Sequence, residues 1–97
     1  MTYVLSSAAR DDLLSIWAYS AQRWGEDEAD LHLDALVLRF AWLTRNAGLW
    51  HPRPELGSGL YSYPEKSHVI FLRQGDDRLE IVRVLHASMD PGRHVGP

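Results

Sequence analysis

The 97-residue sequence contains no cysteine, so it can form neither disulfides nor thiolate metal sites. It has a single lysine, Lys66, and its formal net charge is −3. Proteins whose main partner is nucleic acid are usually strongly basic, because they gain affinity by neutralising phosphates. The acidic balance therefore argues against direct binding of RNA or DNA, although a local arginine cluster could override it.

Long apolar runs are also missing. No purely apolar run exceeds four residues, as at 69–72, whereas about 20 residues are needed to span a bilayer. Residues 1–6 have neither the basic stretch nor the apolar core of a secretory signal. The composition, 45 % hydrophobic and 24 % charged, is typical of one globular domain covering residues 1–97. We therefore expect a soluble, cytoplasmic protein without a membrane partner.

Two amphipathic helices are predicted after a short strand at residues 3–5. The first begins at an N-cap hydroxyl, from Ser6 or Ser7, and ends at Gly25, since glycine tolerates the left-handed C-cap conformation. Its apolar face consists of Ala9, Leu13, Ile16, Trp17, Ser20 and Trp24. The second helix begins at Asp27, and its main stripe consists of Ala29, Leu33, Leu36, Val37, Phe40 and Leu43. The short link between them predicts an antiparallel helical hairpin.

The second half of the chain is predicted to form a three-stranded antiparallel sheet. A loop over 46–59 precedes a short strand at 60–63, which Pro64 is expected to end. Two longer strands, His68–Gln74 and Arg78–His86, are rich in Val, Ile and Phe and are joined by a tight turn. The predicted fold class is therefore α+β.

The end of the chain has the composition of a loop. Residues 87–97 contain two prolines and two glycines and are predicted to form an exposed C-terminal tail.

The helices and strands carry more apolar surface than a two-layer fold needs. The second helix has a further stripe, here called the α2 stripe, formed by Leu31, Ala35, Leu38 and Trp42. Simple alternation along the last strand places Leu79, Ile81 and Leu85 on one face and Val82 and Val84 on the other. Either tryptophan and loop residues cover this surface, or it forms a groove that another chain fills.

Patterns typical of catalytic or metal sites are weak. The five histidines lack the spacing of a zinc site, so we expect no metal and no cofactor. Ser88, His86 and Asp90 are close in sequence, but the Gly-x-Ser-x-Gly turn of many serine hydrolases is missing.

Ribonuclease chemistry is the stronger enzymatic alternative. It requires a general acid, a general base and arginines around the scissile phosphate. Arg73 and Arg83 lie on neighbouring predicted strands and could point the same way. Alternatively, each guanidinium pairs with Glu80, Asp77 or a backbone carbonyl, or binds a partner.

Three segments resemble a known toxin family. Residues 81–90, Ile-Val-Arg-Val-Leu-His-Ala-Ser-Met-Asp, resemble the Ile-x-Arg-Val-Leu-His-x-x-Met-(Asp/Asn) closing strand of ParE-type toxins. Residues 67–73, Ser-His-Val-Ile-Phe-Leu-Arg, resemble the family's Ser-His-x-x-Phe-Tyr-Arg strand. Further matches to its first strand and helix are Tyr3-Val4-Leu5-Ser6, Ala9, Asp12-Leu13, Ile16-Trp17, Tyr19 and Arg23-Trp24-Gly25. These segments occur in the same order as in the family, and together they span nearly the whole chain.

The resemblance implies the fold shared by ParE and RelE toxins, a helical hairpin packed on an antiparallel sheet. It implies the toxin component of a type II toxin–antitoxin system. It further implies a ParD-like antitoxin, whose C-terminal segment wraps the toxin in a hetero-oligomer, and DNA gyrase as the target.

Several positions depart from the related families. Leu72 stands where ParE-type toxins usually have tyrosine, and Tyr61 stands where they commonly have arginine. Compared with messenger-RNA-cleaving RelE relatives, Ala87 replaces an expected arginine, and no tyrosine follows Tyr63 to serve as the late catalytic residue. We therefore expect a toxin that acts by binding, not an enzyme. The alternatives are a RelE-like ribosome-dependent mRNA endoribonuclease and an orphan toxin with another target.

Candidate binding residues follow from the apolar stripe and the basic side chains. For the antitoxin, the candidates are Leu31, Leu38, Trp42, Arg73, Arg83 and His86. For the target, the candidates are Arg93 and His94, which give the tail local positive charge.

Overall fold

The computed structural model describes residues 1–95 and confirms the α+β class, with a helical hairpin packed on one sheet. The helices are α1, Ser7–Trp24, and α2, Glu26–Leu43. The strands are β1, Thr2–Leu5; β2, His51–Pro52; β3, Leu60–Glu65; β4, His68–Gln74; and β5, Arg78–His86. Two one-turn 3₁₀ helices cover Ala47–Leu49 and Pro91–Arg93. Within residues 1–95, no helix has the length and apolar character needed to cross a membrane.

The sheet has five strands in the order β1-β5-β4-β3-β2, so the prediction of a three-stranded sheet was wrong in strand count. The N-terminal strand joins the sheet by pairing in parallel with β5, from Thr2 opposite Arg78 to Leu5 opposite Ile81. The predicted loop 46–59 contributes β2, whose two residues pair with β3. The β1–β5 pairing joins segments far apart in sequence, which local sequence patterns do not encode. The β2–β3 pairing is between nearby segments, but it involves only two residues of a loop-like stretch.

Ser6 is the residue that joins β1 to α1. Its hydroxyl accepts a hydrogen bond from the Ala9 backbone N–H at 3.0 Å and donates one to the Val82 carbonyl at 2.7 Å. The N-cap is therefore Ser6 and not Ser7, and it also ties the helix start to β5.

Gly25 alone links α1 to α2, and the predicted end of α1 is confirmed. Its φ of +95° lies in the region that favours glycine, and its N–H donates to the Ala21 carbonyl at 2.9 Å. The second helix begins at Glu26, one residue before the predicted start. Leaving only one residue between the helices folds them back against each other.

Pro64 lies inside β3, so its predicted role as a strand end was wrong. It stands opposite Val69, and β3 continues to Glu65. On its other side, β3 pairs with β2 only through Tyr61 and Ser62. Because β2 is that short, Pro64 faces no strand on that side, where its missing N–H leaves no ladder bond unmade.

A β-bulge changes the faces of β5. The register passes from Phe71 opposite Arg83 to Leu72 opposite Ile81, which leaves Val82 as the extra residue. Val84 therefore packs with Leu79 and Ile81, while Leu85 packs with Val82 on the other side. The face assignments predicted by simple alternation were wrong for Val84 and Leu85.

Each face of the sheet has its own apolar cluster. The larger cluster lies between hairpin and sheet, with fully buried Leu36, Phe40, Leu43, Ile70, Leu72, Leu79 and Ile81. The smaller one joins Leu60, Phe71 and Leu85 to Val95, with Leu56 of the 53–59 loop packed against it. Loop residues thus cover the second face, as one of the two predicted alternatives proposed.

Three predictions about which residues are buried or exposed are corrected by the fold. Trp24 is 60 % exposed because it packs on Tyr19 at the surface of α1 and not on the sheet. Val37 is also exposed, at the border of the α2 core face. In the predicted tail, residues 87–94 are exposed apart from half-buried Pro91, but Val95 is buried. The rest of that tail, residues 96–97, lies outside the described residues.

Candidate functional site

A cleft of about 490 Å³ opens where the end of α1 and the start of α2 meet the ends of β4 and β5. We call it the histidine cleft, because its lining includes His32 from α2, His68 from the start of β4 and His86 from the end of β5. Antiparallel pairing sets His68 directly opposite His86. The remaining lining is mostly apolar and aromatic, and is formed by Asp12, Ser15, Ile16, Tyr19, Ser20, Trp24, Ser67, Val84, Leu85 and Met89.

The three imidazoles form a row. The ring centroids of His32 and His68 are 5.5 Å apart, and those of His68 and His86 are 5.6 Å apart. Burial of His68 lowers its pKa, because the charged ring loses hydration, and repulsion from His32 and then His86 lowers it further. These surroundings therefore favour the neutral form of the central ring.

His86 is held as a hydrogen-bond donor. Its Nδ1 accepts from the Ser88 backbone N–H at 3.1 Å and lies 2.7 Å from the Ser88 hydroxyl. A neutral ring whose Nδ1 accepts carries its proton on Nε2. This tautomer does not suit metal binding through Nε2, and residues 1–95 contain no group of three or more possible ligand side chains arranged to hold a metal ion.

The catalytic arrangements considered from the sequence are not assembled here. The Asp90 carboxylate accepts from the Gly92 N–H at 3.0 Å and so caps a turn, instead of orienting His86 for the exposed Ser88. The residues that line the histidine cleft include neither arginine nor lysine. A scissile phosphate bound there would meet no guanidinium or ammonium group to stabilise its developing charge.

The α2 stripe is partly exposed and reaches the cleft. Leu31 and Leu38 are 63 % and 71 % exposed, whereas Trp42 is half-buried beneath Arg39 and beside Tyr63, at 4.6 and 5.4 Å. Leu31 also lines a hollow of about 380 Å³ that shares Ser20, Trp24, His32 and Ser67 with the histidine cleft. The Leu31 end of the stripe therefore adjoins the cleft.

The two candidate arginines of the strands have different environments. Arg73 makes a 3.4 Å contact with Glu80 and its side chain is 45 % exposed, as the pairing alternative predicted. Arg83 instead donates from Nε and Nη2 to the two Asp12 carboxylate oxygens, each at 2.8 Å. Arg73 is accessible to a partner, but the Arg83 guanidinium is already engaged.

Asp12 is a site residue that was not among the candidates named from the sequence. Its carboxylate also accepts from the Val84 backbone N–H at 2.9 Å. Hydrogen bonding to Asp12 raises the pKa of Arg83, with burial opposing this and the charges of Asp12 and Asp11 adding to it. The only available signal was the resemblance, in which Asp12 belongs to one matched segment and Arg83 to another.

The candidate target residues lie around the 3₁₀ helix Pro91–Arg93. The Arg93 side chain is 83 % exposed and lies 3.8 Å from the Asp90 carboxylate. His94 is exposed, and its carbonyl accepts a hydrogen bond from Arg83 at 2.9 Å. The fold therefore places these residues on a short structured turn, separate from the α2 stripe.

Comparison with known proteins gives a consistent family relationship. Residues 3–91 match the sequence profile described as "ParE toxin of type II toxin-antitoxin system, parDE". The chain is 39 % identical over 94 residues to Toxin ParE1 of Caulobacter vibrioides, covering 97 % of both chains. It is 33 % identical over 94 residues to Toxin ParE1 of Mycobacterium tuberculosis, covering 96 % of both.

Two solved structures share the fold. One, described as a chromosomal ParDE TA system from P. aeruginosa, has a TM-score of 0.77 at 18 % identity and aligns over 89 % of this chain and 95 % of that chain. The other, the toxin-antitoxin complex RelBE2 from Mycobacterium tuberculosis, has a TM-score of 0.65 at 23 % identity, over 88 % and 95 %.

Proposed function

The chain belongs to the ParE family of toxins from type II toxin–antitoxin systems, and on that premise we propose that a ParD-like antitoxin neutralises it and that it inhibits DNA gyrase by binding. Family membership supports both partners, since the match includes nearly all of the chain. Gyrase acts on chromosomal DNA, so the proposed site of action is the cytoplasm.

The antitoxin is proposed to bind the α2 stripe and the adjoining histidine cleft. The observation that carries this proposal is the exposure of Leu31 and Leu38 on one helix, with Leu31 bordering the hollow that adjoins the apolar cleft of about 490 Å³. An amphipathic helix binds such a groove through apolar anchors at helical spacing. Trp42 would border the contact, and His86 would donate to a carbonyl or carboxylate of the bound segment.

A charged side chain outside the α2 stripe and the histidine cleft adds a second element to the proposal. The exposed Arg73 is proposed to attract acidic residues of the antitoxin, whose approach would compete with Glu80 for the guanidinium. Arg83 has no comparable freedom, because Asp12 and the His94 carbonyl occupy its donors. We therefore assign Arg83 an internal role, developed below, in place of direct antitoxin contact.

Substitution of the exposed leucines tests the antitoxin surface. In a titration with the proposed ParD-like antitoxin, Leu31→Ser/Leu38→Ser should weaken binding at least about tenfold, or ~1.4 kcal/mol. The matched control is Leu14→Ser, since Leu14 is 69 % exposed but lines a different groove, on α1. A tenfold loss for Leu14→Ser, with no loss for the double variant, would place the antitoxin on that groove and overturn the assignment.

The gyrase proposal rests on binding and not on a catalytic group. The free toxin should block supercoiling or trap gyrase on cleaved DNA, and the preformed antitoxin complex should be inert. Arg93→Ala/His94→Ala should weaken inhibition while leaving antitoxin affinity unchanged, because both residues are exposed and separate from the α2 stripe. Growth arrest by the free toxin with normal gyrase activity would retain the toxin class and refute gyrase as the target.

A further inference from the structure

Arg83 joins three parts of the chain that are far apart in sequence. Its side chain extends from β5, forms a two-pronged ion pair with Asp12 on α1, and donates from Nη1 to the His94 carbonyl at 2.9 Å. The Arg83 and Asp12 side chains are only 20 % and 13 % exposed. A planar guanidinium can bind a carboxylate with two donors and still have a third for a carbonyl.

The bulge in β5 supplies the local setting for this contact. Val82 is the extra residue, and the next two residues, Arg83 and Val84, both donate to the Asp12 carboxylate. Bulges commonly redirect a side chain away from the regular alternation of a strand. The bulge turns the Arg83 side chain towards α1, and the hydrogen bonds to Asp12 then fix the direction of the guanidinium.

Residues 90–95, here called the C-terminal segment, have few links to the rest of the domain. Their other hydrogen bonds are internal, such as Val95 N–H to the Pro91 carbonyl at 2.8 Å and Gly92 N–H to Asp90 at 3.0 Å. Of the hydrogen bonds within residues 1–95, the one from Arg83 ties this segment to the remainder. The second link is apolar, because Val95 is 5 % exposed in the cluster with Phe71 and Leu85.

We infer that Arg83 is a positioning residue, which fixes the C-terminal segment on the domain so that Arg93 and His94 are presented in one conformation. The inference rests on the proposed function, which assigns those two residues to target contact. Arg83 sets the polar end of the segment through the His94 carbonyl, and Val95 sets the apolar end. A segment held at both ends does not have to be ordered again when it binds.

Limited trypsin digestion measures how firmly the segment is held, because Arg93 is itself a cleavage site. Mass spectrometry should detect loss of residues 94–97, with the cleavage rate expressed relative to that at Arg45. This relative rate should rise at least about tenfold in Arg83→Gln, which lacks the guanidinium fork. Arg73→Gln is the matched control, since Arg73 lies on the neighbouring strand and contacts Glu80. Equal rates in wild type and Arg83→Gln would overturn the inference.

A second variant, Arg83→Lys, keeps the inference testable if Arg83→Gln does not fold. Arg83→Lys keeps a positive charge beside Asp12, but one ammonium group cannot hold both carboxylate oxygens and the His94 carbonyl with the same geometry. It should release the segment while circular dichroism stays that of the wild type. A folded Arg83→Lys with wild-type cleavage at Arg93 would also overturn the inference.

The functional readout is gyrase inhibition by the free, full-length toxin. Arg83→Lys and Val95→Ala should each raise the half-inhibitory concentration at least about fivefold, and the double variant should show less than the product of the two effects, since both release the same segment. If these variants release the C-terminal segment, as judged by faster cleavage at Arg93, and still inhibit gyrase like the wild type, the positioning role is refuted. If wild-type toxin leaves gyrase unaffected, the target proposal fails, and the trypsin rates still decide whether Arg83 holds the segment.

Discussion

Replacing Asp12 by alanine removes the acceptor shared by Arg83 and the Val84 backbone. Two guanidinium contacts of 2.8 Å and one N–H contact of 2.9 Å are lost together. The helix itself should tolerate the change, because alanine has the highest helix propensity. The perturbation therefore acts on the connection between α1 and β5 and not on α1 alone.

The size of the effect follows from burial and charge. A hydrogen bond to a charged group contributes roughly 1.5–3 kcal/mol, and breaking a fully buried ion pair costs about 3–5 kcal/mol. The Arg83 and Asp12 side chains are 20 % and 13 % exposed, so water compensates for part of the loss. We expect Asp12→Ala to lower the free energy of unfolding by about 2–3 kcal/mol. For a chain of this size, Tm should fall by roughly 10–20 °C.

Urea unfolding followed by tryptophan fluorescence provides the assay, with thermal unfolding as a second measurement. The free energy of unfolding should fall less in Asp12→Asn than in Asp12→Ala, because the asparagine amide oxygen can still accept a hydrogen bond from the Val84 N–H. Glu80→Ala is the control: it removes an exposed 3.4 Å pair with Arg73 and should cost less than about 1 kcal/mol. An Asp12→Ala protein as stable as Glu80→Ala would refute the view that this ion pair joins α1 to β5.

Three further predictions concern pH, the interhelical link and catalysis. Because the native pKa of His68 is lowered, the unfolded state binds the proton more readily, so the stability should be fully present above about pH 6.5 and fall below it. Urea midpoints measured between pH 5 and 8 should show a smaller pH slope in His68→Gln and an unchanged slope in the exposed control His51→Gln. Gly25→Ala should lower the free energy of unfolding by about 1–2 kcal/mol, because a Cβ at φ +95° is strained although no atom lies within 4 Å of it; an unchanged urea midpoint would contradict this. The purified toxin should leave messenger RNA uncut on translating ribosomes, since no arginine or lysine lines the histidine cleft, and codon-specific cleavage at catalytic toxin levels would establish the ribonuclease alternative.

Local chemistry made several elements predictable from the sequence. A serine N-cap and a glycine C-cap mark the two ends of α1. Runs of β-branched and aromatic residues mark β4 at His68–Gln74 and β5 at Arg78–His86. Such signals depend on steric preferences and hydrogen bonds between residues a few positions apart. The ordered motifs from residue 3 to residue 90 were likewise sufficient to indicate the toxin family, which the comparisons confirm.

Pairing and packing between distant segments were decided only in the folded chain. The bulge at Val82 moved Val84 to the helix-facing side of the sheet, a shift that an alternating pattern cannot reveal because one extra residue inverts everything after it. Leu56 and Val95 came to cover the second face of the sheet, although both belong to segments with loop composition.

The candidate site shows the same division. Exposure of Leu31 and Leu38 beside the main α2 core followed from helical periodicity, because residues 3.6 positions apart share a face. The row of His32, His68 and His86 required the fold to bring His32 of α2 within 5.5 Å of His68, which lies 5.6 Å from His86. Asp12 and Arg83 are 71 residues apart, and neither shows by its neighbours that it needs the other. Sequence determined which side chains were available, and the tertiary structure determined their partners, because an ion pair depends on distance in space and not on separation along the chain.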